Sequence, residues 1–226
     1  MFFNFTYKAY IAIIGDIKKS KLIQDRNQIQ EKLGRVLEEI NHIYEDDIAA
    51  QFMITLGDEF QGLLSKGGNT MKILTEIEQR MHPVKIRFGI GIGEITTKIN
   101  RTMAIGADGP GYYKARAAID FVKNLEKRRQ RTGNLRIEIE GHYEQATSML
   151  NTVLSLLAII TSKWSDRQRE IIYNMKQESN QLEIAERFHI RQPTVHKILA
   201  AGHYYSYREA IETIERVLGE VGNNDI

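Results

Sequence analysis

Two carboxylates stand in surroundings that suit metal chemistry. Asp16 closes the apolar run Ala9-Tyr10-Ile11-Ala12-Ile13-Ile14 and follows Gly15, while Asp58 sits in the turn Thr55-Leu56-Gly57-Asp58-Glu59-Phe60 between two strand-length apolar stretches. Acids at strand ends, each beside a glycine that lets a backbone or phosphate come close, are what an oxygen-ligand cation such as Mg²⁺ requires. Asp16 and Asp58 are the expected ligands, with Mg²⁺ as the cofactor. Glu59 is open to three roles: a third ligand, a solvent-facing charge, or a partner to the turn. Asp58 taken alone is equally a turn former, and Glu94 is as readily a salt-bridge partner as a ligand. None of the six histidines has metal-pair spacing on one helix face, so zinc is not expected.

A second chemistry lies near the C-terminus. The stretch Gln181–Phe188 reads as a helix, His189-Ile190-Arg191 as a tight turn, and Gln192 to Leu199 as a second helix begun by Pro193. With the small Ala185 where the helices cross and Ile184, Ile190, Val195 and Ile198 as anchors, this is a helix-turn-helix pattern. It presents Arg191, Gln192, Thr194, His196 and Lys197 outward, side chains able to reach base edges and phosphates, so DNA is the expected partner. The turn position usually held by glycine is His189, a residue that enters the left-handed region more readily than most. The bland alternative is a three-helix unit used for protein contacts.

The elements that must hold these groups are legible from periodicity. The order reads β-α-β-β-α-β-α-β: a buried strand at 8–14, a helix from about Gln24 to Tyr44, the hairpin around Asp58, a helix through Met71 and Met81, and an alternating strand from Val84 to Ile95. In that strand Gly89, Gly91 and Gly93 share one face and leave room for something to lie against the sheet. The glycine-rich loop Ile105 to Gly111 then opens a helix near Tyr112, where an anion could dock. That helix ends in Lys123, Lys127, Arg128, Arg129 and Arg131, read as a solvated cationic end, and Leu135–Ile139 is a last strand. The fold class is α+β: a ferredoxin-like domain over residues 1–141, a connecting helix over 142–163, and an all-α helix-turn-helix domain over 164–226.

Composition narrows the function classes. The 226 residues carry a formal charge of +2 and no cysteine. Any nucleic-acid contact must therefore be a local patch, and thiolate chemistry is excluded. The N-terminus lacks a secretory pattern. The apolar stretch Met149–Ile160 is broken by Asn151, Thr152 and Ser155 and is shorter than the roughly 18 residues a membrane span needs. A cytoplasmic protein with no membrane partner is expected.

Ile13-Ile14-Gly15-Asp16-Ile17, the hairpin Thr55 to Phe60 and the strand Arg87 to Ile95 together resemble the catalytic palm of class III nucleotidyl cyclases and, more loosely, of GGDEF diguanylate cyclases, over about residues 8–120. The resemblance implies that Asp16 and Asp58 hold Mg²⁺ on a nucleoside triphosphate, that Ile17, Lys18, Lys19 and Ser20 lie along its phosphates, and that Arg116 is the catalytic arginine that steadies the transition state. Two positions depart from it: Ile54 stands where cyclases have a purine-reading lysine, and Tyr112 replaces an asparagine. Residues 164–199 resemble the tri-helical units of sigma-factor region four. The chain as a whole resembles the bacterial SatD family, a likeness that implies organisation rather than a reaction. The expectation is a DNA-binding regulatory protein, homodimeric, whose cyclase-like domain binds Mg²⁺ and a nucleotide or other phosphate-containing small molecule. The alternatives are a nucleotidyl cyclase or other phosphoryl-transfer enzyme, and a protein-interaction scaffold.

Overall fold

The apolar run around Ile13 becomes β1 (Tyr10–Ile17), whose residues after the first are all buried, as befits a strand covered on both faces. The computed structural model describes residues 2–22, 25–130, 133–175 and 180–222. Among these there are five strands and eight α-helices, a mixed α+β architecture. After β1 come α1 (Arg26–Ile43), β2 (Ile48–Leu56), β3 (Glu59–Leu64), α2 (Thr70–Met81), β4 (Ile86–Gly93), α3 (Pro110–Lys127), β5 (Leu135–Ile139) and α4 (Glu144–Ser162). The expected start of the first helix, Gln24, lies outside the described residues, as does Arg131. The helix is described from Arg26, with Asp25 Oδ1 accepting from the Gln28 N–H at 2.9 Å.

The strands lie in the order β2-β3-β1-β4-β5, antiparallel throughout except for the parallel β4–β5 pair. The first four follow the split βαβ order. One face carries α1 and α2 over a core that includes Ile11, Ile13, Leu33, Ile40, Phe60, Ile77 and Phe88. The other carries α3 over Ala12, Ile14, Leu63, Ala115 and Ile119. The room left by the β4 glycines is filled by α3 itself: a Cβ on Gly89 would lie 2.3 Å from the Ala115 carbonyl, and one on Gly91 2.0 Å from the Gly111 carbonyl.

By length and composition α4 is apolar enough to cross a membrane. The helix extends the apolar stretch noted in the sequence at both ends, so the stretch alone understates its length. One side is committed to the protein, with Leu150, Leu154 and Leu157 in the first core, while Met149, Leu156 and Ile159 are exposed.

Beyond it lie α5 (Asp166–Asn174), α6 (Gln181–Arg187), α7 (Gln192–Ala201) and α8 (Tyr204–Leu218). Ser165 and Gln168 form a capping box that starts α5. His189 adopts φ 51°, and the Ile190 N–H donates to the Ala185 carbonyl at 2.9 Å, closing the end of α6 in the left-handed turn that usually takes glycine. These helices share a core of Trp164, Ile171, Ile172, Ile184, Ala185, Val195, Leu199 and Tyr204. Helix α8 enters two cores: Tyr204 packs in this one, and Ile214, Val217 and Leu218 pack in the first.

Candidate functional site: an ion-paired rim and an exposed helix

The β1–β3 register sets Asp16 opposite Glu59, and the β1–β4 register sets Asp16 opposite Arg87. Directly opposed residues share a face, here the face covered by α3. From that helix Arg116 and Lys123, seven residues apart and so on one helical side, reach down to the strand ends. Arg116 grips Glu59 with two bonds, Nη1 to Oε2 at 2.6 Å and Nη2 to Oε1 at 2.7 Å. Lys123 Nζ is 3.0 Å from Asp16 Oδ1 and 3.9 Å from Glu59 Oε2. Arg87 Nη1 bonds Asp16 Oδ2, and its Nη2 reaches Glu126 Oε2 at 2.7 Å. Lys18 pairs with Glu126 and donates to Asn134 Oδ1 at 2.8 Å.

Three carboxylates (Asp16, Glu59, Glu126) are thus interleaved with four cations (Lys18, Arg87, Arg116, Lys123). Burial acts to raise the Glu126 pKa, yet hydrogen bonds from Arg87 and Lys18 hold it below the usual range. The Glu59 bonds raise the Arg116 pKa against an opposing effect of burial. Both act to keep the network charged at neutral pH.

Asp58 stands apart from this network. Its carbonyl accepts from the Ile17 N–H at 3.1 Å, and the residue lines a shallow recess with Ser20, Arg26, Ile29 and Gln30, on the α1 side. The acid that faces Asp16 is Glu59. The four loop residues expected along phosphates are divided in their roles. Ile17 is buried, the Lys18 N–H donates to the Lys85 carbonyl at 2.8 Å, Ser20 opens a short 3₁₀ turn, and only Lys19 is exposed, at φ 55°. At the start of α3 the Gly111 N–H donates to Glu94 and the Tyr113 N–H to Gly109, so those donors are engaged within the fold. Tyr112 packs in the second core with its hydroxyl unpartnered.

Mg²⁺ demands near-octahedral oxygen ligands at about 2.0–2.1 Å. The residues present do not fit that demand: both Asp16 oxygens face cations, both Glu59 oxygens face Arg116, and Asp58 stands apart from them. Among the described residues no group of three His, Cys, Asp or Glu side chains is arranged to hold a metal ion. Arg87, Lys123 and Glu126 are site residues that the sequence reading misses. Two signals pointed to the first two: Arg87 shares the period-two face of Gly89 and Gly91, and Lys123 shares a helical side with Arg116.

In the tail, Val195 and Leu199 are fully buried and fix α7, while Arg191, Gln192, Thr194, His196 and Lys197 are all exposed. Gln192 Nε2 donates to Gln181 Oε1 at 3.1 Å, and Gln181 Nε2 donates to the Tyr205 hydroxyl at 3.0 Å.

The sequence pattern of the SatD family matches residues 10–214. The chain belongs to the SatD family. A search of curated proteins gives no match to this SatD-family chain. Among solved structures it is similar to a bacterial light-regulated adenylyl cyclase, at 13% identity and TM-score 0.41, over 57% of this chain and 42% of that one. It is also similar to the catalytic core of a rhodopsin-guanylyl cyclase with converted specificity, at 14% identity and TM-score 0.37, over 50% and 71%. A third is the non-canonical dimeric guanylyl cyclase domain of the RhoGC fusion protein from the aquatic fungus Blastocladiella emersonii, at 14% identity and TM-score 0.37, over 50% and 73%. At this level of likeness no role passes from those proteins to a residue of the SatD-family chain.

Proposed function

We propose that this SatD-family protein is a DNA-binding regulator in which α6 and α7 form a helix-turn-helix and α7 lies in the major groove. The observation that carries the reading is the division of α7. Val195 and Leu199 are sealed in the tail core, while Arg191, Gln192, Thr194, His196 and Lys197 face solvent on the first two turns. Arg191 and Lys197 suit phosphates and guanine edges; Gln192 and Thr194 suit base edges. The Gln181 and Tyr205 contacts hold the Gln192 amide in one orientation before any DNA arrives.

In this reading residues 1–141 are a cyclase-like palm that serves as a body rather than a catalyst, since its strand-end acids are committed to arginine and lysine partners. Helix α8 couples the two halves by packing in both cores. One α7 reads one half-site, so the working unit is a homodimer on paired half-sites in the cytoplasm.

The test is retention of a pooled random-sequence duplex at modest salt. The wild-type chain is expected to bind and to enrich a motif over rounds of selection, and Arg191→Ala with Lys197→Ala is expected to lose at least tenfold in affinity. Equal retention by both proteins would sink the reading.

A further inference from the structure

Asp16 and Glu59 face each other across an antiparallel pair, with side-chain exposures of 11% and 18%. Like charges directly opposed in a sheet are destabilising, and partial burial strengthens the repulsion. Something positive must sit between them. We propose that the ammonium of Lys123 takes the place a divalent cation would hold between Asp16 and Glu59, making this rim metal-independent, with a latent cation site that opens when the lysine is removed.

The ammonium is within ion-pair reach of both acids, closer to Asp16 than to Glu59. Lys123 Nζ lies 3.0 Å from one acid and 3.9 Å from the other. Arg87 holds Asp16 through Oδ2 and leaves Oδ1 to the ammonium, whereas both Glu59 oxygens are bonded by Arg116, a 44% exposed side chain that can release Oε2 to an ion entering beside it. The lysine reaches this point because α3 is seated in the trough of Gly89 and Gly91, which brings the helix backbone onto the sheet. A compact ammonium with three donors on a flexible stem suits the task, and a planar guanidinium does not fill it in the same way. A divalent ion added to the native rim would meet four cations and three carboxylates, an arrangement that repels it. This inference concerns the sheet half alone and stands whether or not α7 binds DNA.

The experiment is thermal unfolding of the full chain in EDTA and in Mg²⁺ or Mn²⁺ at millimolar concentration, with NaCl controls matched for ionic strength. The wild-type melting temperature is expected to be unchanged by either metal. Lys123→Ala should melt several degrees lower in EDTA and recover by roughly 2–4 °C in Mn²⁺, since a ligand bound only by the folded state raises its stability. Lys123→Glu, which adds a carboxylate beside Asp16 and Glu59, should recover more, and adding Glu59→Gln should remove the recovery in both. If a variant is unfolded in EDTA, Mn²⁺-dependent gain of far-ultraviolet dichroism is the same readout. Saturable stabilisation of the wild type by Mg²⁺ or Mn²⁺ that Asp16→Asn abolishes would overturn the proposal, as would Lys123 variants indifferent to both metals.

Discussion

Asn151 exchanges two hydrogen bonds with the backbone of Ile137, its Oδ1 accepting at 2.9 Å and its Nδ2 donating at 2.7 Å. A helix side chain thereby completes the open edge of β5 as a neighbouring strand would. Asn41 on α1 does the same for Phe52 on β2, at 2.7 and 2.9 Å, so both edges of the sheet are stopped by an amide. Unpaired edges template further strands, and closing them guards against that.

The two amides should not be equal in energy. Asn151 and Ile137 are buried, so Asn151→Ala leaves a donor and an acceptor without water and is expected to cost about 2–4 kcal/mol. Asn41 is only half-buried, so solvent can replace its side chain and Asn41→Ala should cost about 1 kcal/mol. Urea unfolding of the two variants decides it, and equal losses would refute the burial argument.

Gly91 of β4 and Gly34 of α1 yield a paired prediction of opposite sign. Gly91→Ala drives a methyl to within 2.0 Å of the Gly111 carbonyl and 2.2 Å of the Ala115 nitrogen, backbone atoms of α3 that cannot swing aside. A loss of roughly 3 kcal/mol or more is expected from overpacking of this kind. A methyl carbon placed on Gly34 of α1 would meet nothing within 4 Å, so Gly34→Ala should add about 0.5–1 kcal/mol through helix propensity. Melting temperatures moving in the same direction for both would contradict this account.

Local pattern made the strands, the helices and the left-handed histidine turn readable, because each depends on residues within one turn or one pleat of each other. Register did not follow from pattern. Asp58 and Glu59 are adjacent, and only the pairing of β1 with β3 decides which of them faces Asp16. The same limit hid Lys123: a cation at a helix end reads as solvated until the helix is known to lie over a sheet. The β4 glycines advertised a close approach correctly, but a ligand and the chain's own α3 leave the same signature in sequence.

Glu78, on α2, lies in the field of Arg169 and close to Tyr173 and Tyr207, where the sheet half meets α5 and α8. Burial pushes its carboxyl up to about 7, against smaller opposing effects of Arg169 and Lys18. A folded-state pKa above the unfolded value means that the contribution to stability is complete below about pH 4.3 and is lost as pH rises through 7. Glu78→Gln removes that dependence. The melting temperature of the variant minus that of the wild type should therefore climb from about pH 4.5 to 7 and level off above. A difference that is flat across this range would rule out the assignment.

The α7 side chains should separate by the kind of DNA contact each makes. A lysine on a phosphate releases a counterion, so Lys197→Ala should weaken binding to every sequence alike and make the slope of log affinity against log salt shallower by about 0.9. Gln192 carries a side-chain amide suited to pairing with adenine, and one such pair contributes about 1–3 kcal/mol of discrimination. Gln192→Ala should therefore erase the preference at one base pair and leave the salt slope intact. Gln181→Ala removes the contact that orients that amide, so it should blunt the same preference to a smaller degree. Selection from a random duplex pool with each variant reads all three effects. If Gln192→Ala and Lys197→Ala alter motif and slope in the same way, α7 does not divide its work between bases and phosphates as its exposed side chains imply.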